Sequence, residues 1–110
     1  MAQESSSPDR VLRHVVLFSF KPDATSEQIR QVEEAFSALP GQIDAIYDFE
    51  WGTDVSVESI AHGFTHCFLV TFLSEADRAV YLPHPAHKAF GALLAPIKEN
   101  VLVIDYWTER

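Results

Sequence analysis

The chain has 110 residues, enough for one domain, because two separate cores would each be too small to offset the conformational entropy lost on folding. A hydrophobic share of 47%, with eight Phe, two Trp and three Tyr, excludes disorder for the bulk of the chain and leaves apolar surface to spare for an interface. The formal charge of −8 repels phosphate backbones and anionic membrane surfaces, so neither nucleic acid nor a membrane is an expected partner, and the single cysteine, Cys67, excludes an internal disulfide framework or thiolate metal cage and fits a reducing, cytoplasmic setting.

The opening residues Met1 to Arg10 lack the basic start and apolar middle of a secretory signal and read as a flexible polar tail, leaving residues 11–110 as the folded domain. No run approaches the roughly 20 apolar residues that span a bilayer. Val11 to Phe20 is rich in β-branched and aromatic residues and predicts a buried first strand. Thr25 and Gln28 stand at the spacing of a capping box, and Ile29, Val32, Phe36 and Leu39 form one stripe on a 3.6-residue period, so a helix follows and covers a sheet. Pro40 and Gly41 stop it. From Ile43 to Gly52 apolar and acidic residues alternate, predicting a second strand. A polar loop leads to a third strand, Phe64 to Leu73, with Phe64, His66, Phe68, Val70 and Phe72 on one face.

Ser74 and Asp77 mark a short helix, which Pro83 interrupts, and Pro85 suits the first position of a second helical piece carrying Phe90, Leu93, Leu94 and Ile97 as its apolar stripe. Val101 to Trp107 is the last strand. The order is βαββαβ, an α+β domain with an antiparallel four-stranded sheet and helices on one face. Because the strands are apolar on both faces, a second sheet is expected over the bare one, most simply from an identical subunit.

Histidine is the residue type best suited to moving protons at neutral pH, with an unperturbed pKa of ~6.5. His14 lies between Leu12 and Val16 on its own strand face, His66 between Phe64 and Phe68, and His87 on the apolar side of the last helix. Each alone reads as a hydrogen-bonded core residue; three on apolar faces point to a pocket, lined by apolar positions such as Phe68, Val70 and Phe90. His84 and His87 have HxxH spacing, but two ligands without a third, next to two prolines, do not make a catalytic zinc site. His84 reads as a helix cap and His62 as exposed. Tyr81 reads either as a partner converging on His87 or as a core aromatic. Asp105, inside an apolar strand, needs a partner, and an imidazole, an arginine or a backbone turn would each serve.

The segments RHVVLFSFK, EWGTDVS, GFTHCFLVTF, YLPHPAHKAF and VLVIDY, spread from about residue 11 to 107, resemble the stress-responsive A/B barrel (Dabb) family, with HPAH and an upstream GFTH as the most specific pieces. The resemblance implies a ferredoxin-like fold that dimerises into an α/β barrel. It also implies, by analogy with a polyketide cyclase of that family that needs no metal or organic cofactor, catalytic roles for His87 and Tyr81 and pocket roles for His14, His66 and Asp105. In that reading His87 removes a proton next to a carbonyl, Tyr81 steadies the enolate oxygen, Asp105 holds the imidazole tautomer, and His14 and His66 anchor carbonyl oxygens. Glu75 and Arg78 depart from the apolar lining an alkyl tail would need. Three functions follow: a cofactor-free aldol cyclase acting on a small apolar or polyketide-like ligand, a non-enzymatic stress-response protein, and a monooxygenase or haem-binding relative.

Overall fold

The structure, a computed structural model, describes residues 8–109. Most of the expected tail, residues 1–7, lies outside them, and Arg10 already opens the first strand. The elements in chain order are β1 (Arg10–Phe20), α1 (Ser26–Ala38), β2 (Asp48–Thr53), β3 (His66–Phe72), α2 (Glu75–Tyr81), α3 (Pro85–Leu94) and β4 (Lys98–Glu109). All strand pairs are antiparallel, in the order β2-β3-β1-β4, which is the ferredoxin-like arrangement read from the sequence.

Local chemistry sets the helix ends. Thr25 and Gln28 form the complete capping box at α1, each side chain satisfying the other's backbone N–H. The Ser74 hydroxyl caps α2 by accepting from Asp77 N, and His84 caps α3 by accepting from Ala86 N at 3.0 Å, with Pro85 next to it.

Cross-strand register assigns the faces. Leu12, His14, Val16 and Phe18 of β1 lie beside Phe72, Val70, Phe68 and His66 of β3, all buried under the helices. Val32, Phe36 and Leu39 from α1 and its exit turn, with Tyr81, Phe90, Leu94 and Ile97, close the core over them. The opposite face carries Val15, Leu17 and Leu69, over which the described residues place only the loop between β2 and β3 and no helix or sheet layer, and β4 exposes Val101, Leu102, Val103, Ile104 and Tyr106 on both its faces.

The second strand is shorter than its alternation implies. Residues 43–47 do not extend, because the 3-10 turn at Leu39–Gly41 continues into a tight bend, with Ile43 N bonded to Leu39 O and Ile46 N to Ile43 O. Ile43 is fully buried there, so its apolar character serves the helix exit and not a strand face. At the other end of the chain β4 is longer than expected, since β1 offers it a partner along its whole length.

Candidate active site

Two polar clusters occupy the helix-covered face. The first is built on the middle of the sheet. His14 on β1 lies opposite Asp105 on β4, 91 residues away, and its Nδ1–H donates to Asp105 Oδ1 at 2.7 Å. The other carboxylate oxygen accepts from Arg78 of α2 at 2.8 Å, so both expected kinds of partner for Asp105, an imidazole and an arginine, are present together. Tyr81, at the end of α2, packs edge-on to His14 with ring centres 5.7 Å apart and lies 4.5 Å from the ring of His87 on α3. The proline-broken connection between the two helices makes this convergence possible, as Tyr81 and His87 could not share one face of a single regular helix.

His87 is oriented by the backbone. Its Nδ1 lies 2.9 Å from Leu82 O, and since a carbonyl oxygen only accepts, the proton sits on Nδ1 and the neutral ring presents its lone pair at Nε2. The tautomer of His87 is therefore held by Leu82, not by Asp105, which instead holds His14. Burial pushes the Tyr81 phenol well above its ordinary range, so the group is a hydrogen-bond donor and not a base.

The Tyr81 hydroxyl, His14 Nε2 and His87 Nε2 have no hydrogen-bond partner among the described residues. None is sealed from solvent either, because the one buried side-chain oxygen or nitrogen left unpaired there is Ser19 Oγ. Two imidazole nitrogens able to accept a proton and one hydroxyl able to donate thus remain unpaired close together.

His66 does not join them. It shares their sheet face, but His14 lies opposite Val70, four residues further along β3, which separates the two histidines by about 13 Å. His66 donates from Nε2 to Glu33 of α1 at 2.7 Å, has the Thr65 hydroxyl 2.8 Å from Nδ1, and stacks on Trp51. Both its ring nitrogens are engaged. Nothing in the local sequence signals Glu33 as its partner, since Glu33 lies off the apolar stripe of α1.

Phe68, Val70 and Phe90 lie in the packed core between sheet and helices and line no described cavity. Glu75 and Arg78 tie α2 to β4: Arg78 through Asp105, and Glu75 through an Nε1–H donated by Trp107 at 3.4 Å. His62 is exposed, at a positive φ, and His84 serves as the α3 cap. Among the described residues no group of three or more His, Cys, Asp or Glu side chains is placed to hold a metal ion.

A cavity of about 630 Å³ lies on the opposite, bare side of the sheet, beneath the loop that joins β2 to β3. Val15, Leu17, Leu69, Leu102 and Tyr106 supply its sheet wall, and Ile60 and Phe64 its loop wall. His14, Tyr81, His87 and Asp105 do not touch it. Cys67 does, and its thiol is raised by partial burial and by Glu50, which disfavours the reactive thiolate. No described helix is long and apolar enough to cross a membrane.

Among known proteins, a stress-response A/B barrel domain-containing protein of Arabidopsis thaliana is 38% identical over 104 residues, covering 94% of this chain and 93% of its own. Olivetolic acid cyclase of Cannabis sativa is 33% identical over 95 residues, covering 86% and 94%. Among solved structures, hydroxynitrile lyase from Passiflora edulis superposes with a TM-score of 0.85 at 30% identity, covering 93% of this chain and 96% of its own. A dimeric protein of unknown function and ferredoxin-like fold from Bacteroides fragilis superposes with a TM-score of 0.71 at 29% identity, covering 87% and 94%. The model of the stress responsive A/B barrel domain matches residues 12–108, nearly the whole described chain, and the protein belongs to that family.

Proposed function

We propose that this protein works as a cytoplasmic homodimer and is a cofactor-independent acid–base catalyst that closes a polyketide-like chain by intramolecular aldol condensation. The observation that carries this reading is the convergence of two unpaired imidazole acceptors, His14 Nε2 and His87 Nε2, with one unpaired hydroxyl donor, Tyr81, the His87 tautomer being fixed by Leu82. The likeness to a cyclase and to a hydroxynitrile lyase supports it, because making and breaking bonds next to a carbonyl both need a base and an oxygen-directed donor.

In this mechanism His87 Nε2 takes a proton from the carbon between two carbonyls, and the electron pair left behind becomes an enolate whose oxygen accepts from the Tyr81 hydroxyl. The enolate carbon then bonds to a distal carbonyl carbon, and the oxygen formed there takes the proton back from the His87 imidazolium. The new hydroxyl then leaves as water together with a proton from the neighbouring carbon, which completes the condensation with no proton or electron left over. His14, whose Nδ1–H is given to Asp105, accepts a substrate hydroxyl or enol proton at Nε2 and does not anchor a carbonyl oxygen; Asp105 and Arg78 position its ring. His66 is reassigned from this site to holding α1 against β3, since neither of its nitrogens is free. Phe68, Val70 and Phe90 back the site as its apolar wall.

The homodimer rests on the uncovered apolar face and on the exposed β4, an arrangement that a second copy buries most simply, and on the dimeric Bacteroides relative.

The test is turnover of a polyketide thioester mimic, followed by mass spectrometry. His87→Ala should lower the rate by ~10²–10⁴ and Tyr81→Phe by ~10²–10³. Unchanged turnover in both variants overturns the mechanism. A cyanohydrin belongs in the same assay, since the same base can accept its hydroxyl proton. If neither compound is turned over while His14→Ala and His66→Ala lower the melting temperature, the barrel is a non-enzymatic stress-response protein.

A further inference from the structure

The apolar room next to the site is already filled. Phe36 of α1 stacks on Phe68 at 4.2 Å with the rings 3° from parallel, meets Phe90 edge-on at 4.8 Å and stacks on Phe49 at 5.5 Å, while Phe18 closes against both Phe36 and Phe68. Along the helix-covered face from His14, Val16 and Val70 lead directly into this cluster, and Val16, Val70, Phe18, Phe36 and Phe68 are all at most 5% exposed. No channel runs that way.

The other boundaries of the site are polar or open. Arg78 bonds Asp105, and its remaining guanidinium N–H groups have no partner among the described residues. Glu75, Trp107 and Arg10 close the end of the sheet through a hydrogen bond and a guanidinium set 4.7 Å over the indole. On the remaining side Val103 and Val101 of β4 are nearly half exposed within one subunit, at the strand that the proposed second copy approaches.

We infer that the substrate is a short polyketide whose far end is small or polar, and that the Phe36–Phe68 stack is the specificity-determining element that shuts out an alkyl tail. This rests on the site proposed above and narrows it to one substrate class. A tail of four extra methylenes buried in an apolar pocket would tighten binding by about a hundredfold, whereas one left in water adds almost nothing.

The experiment is calorimetric titration of the full-length protein with two probes, a methyl-substituted resorcylate and its pentyl homologue, which stand in for cyclised products. Wild-type protein should bind the methyl compound, and the pentyl compound no more than about threefold tighter. Phe68→Val, which opens the stack, should favour the pentyl compound by about tenfold or more, and Phe36→Leu provides the same opening if Phe68→Val does not fold. A tenfold or greater pentyl preference in the wild type, failure of both opened variants to gain one, or no binding of the methyl compound overturns the inference. Turnover of a methyl-ended thioester, measured in parallel, reports on the acid–base mechanism alone: its absence with the binding pattern intact sinks the mechanism and leaves the selectivity standing.

Discussion

Tyr81, 1% exposed, carries a hydroxyl that no described residue satisfies. Removing that oxygen should leave stability at neutral pH within about 0.5 kcal/mol of wild type, since no hydrogen bond is lost. At high pH the variant should differ. Burial raises the phenol above its ordinary value of 10.0, so the folded state holds this proton more tightly than the unfolded chain does. The stability tied to it is fully present below the unfolded value and is lost as pH rises past ~10. Melting temperatures taken on either side of that pH should therefore fall less in Tyr81→Phe than in wild type; an equal fall would mean the phenol is not held protonated by the fold. Asp105 has the opposite character, with both oxygens engaged. Asp105→Asn should lower stability by about 1–3 kcal/mol in urea unfolding, because His14 and Arg78 each lose a charge-assisted acceptor. The need of Asp105 for a partner was legible in the sequence from its apolar neighbours, but the identity of the partners was not, since they sit 91 and 27 positions away and are brought near only by strand register and helix docking.

Elements bounded by short-range chemistry were the most legible. The capping box at Thr25, the serine cap at Ser74 and the histidine–proline start of α3 all involve groups within three residues of each other, and each is found where the sequence puts it. Thr25→Ala should accordingly cost about 1 kcal/mol, read as a lower denaturation midpoint with an unchanged slope. The second strand was misread for a related reason. Alternation over Ile43 to Tyr47 satisfies a strand pattern, yet the helix exit bends the same residues into a turn and buries Ile43, and period alone does not distinguish the two. The apolar neighbours of His14 and His66 put each on a buried strand face, and strand pairing makes it the same face, but how far apart they lie along it depends on register, which no local spacing encodes.

At the scale of the whole molecule, the element order and the helix-covered core followed from the sequence pattern and the ferredoxin-like arrangement from the family resemblance, while the filled aromatic space did not, because a periodic stripe shows which residues face inward and not how closely they meet. The bare face and the long exposed edge of β4 are the surfaces on which the proposed homodimer rests. Ile104, 53% exposed on that strand, is a suitable probe: Ile104→Asp should shift the protein toward monomer in analytical ultracentrifugation, and an unchanged sedimentation coefficient would remove this face from the interface. The pairing of β1 with β4 has a further consequence, for the time the chain takes to fold. The sheet's longest contact joins the first strand to the last, from Arg10 beside Glu109 to Phe20 beside Lys98, with β1 lying in the middle of the sheet. During synthesis β1 therefore waits with one edge open until nearly the entire described chain has left the ribosome, and closure of so long a loop makes folding slow for a domain of this size. His14 leaves the ribosome early and meets Asp105 only after β4 has followed, so the site is completed in the same late step that completes the fold.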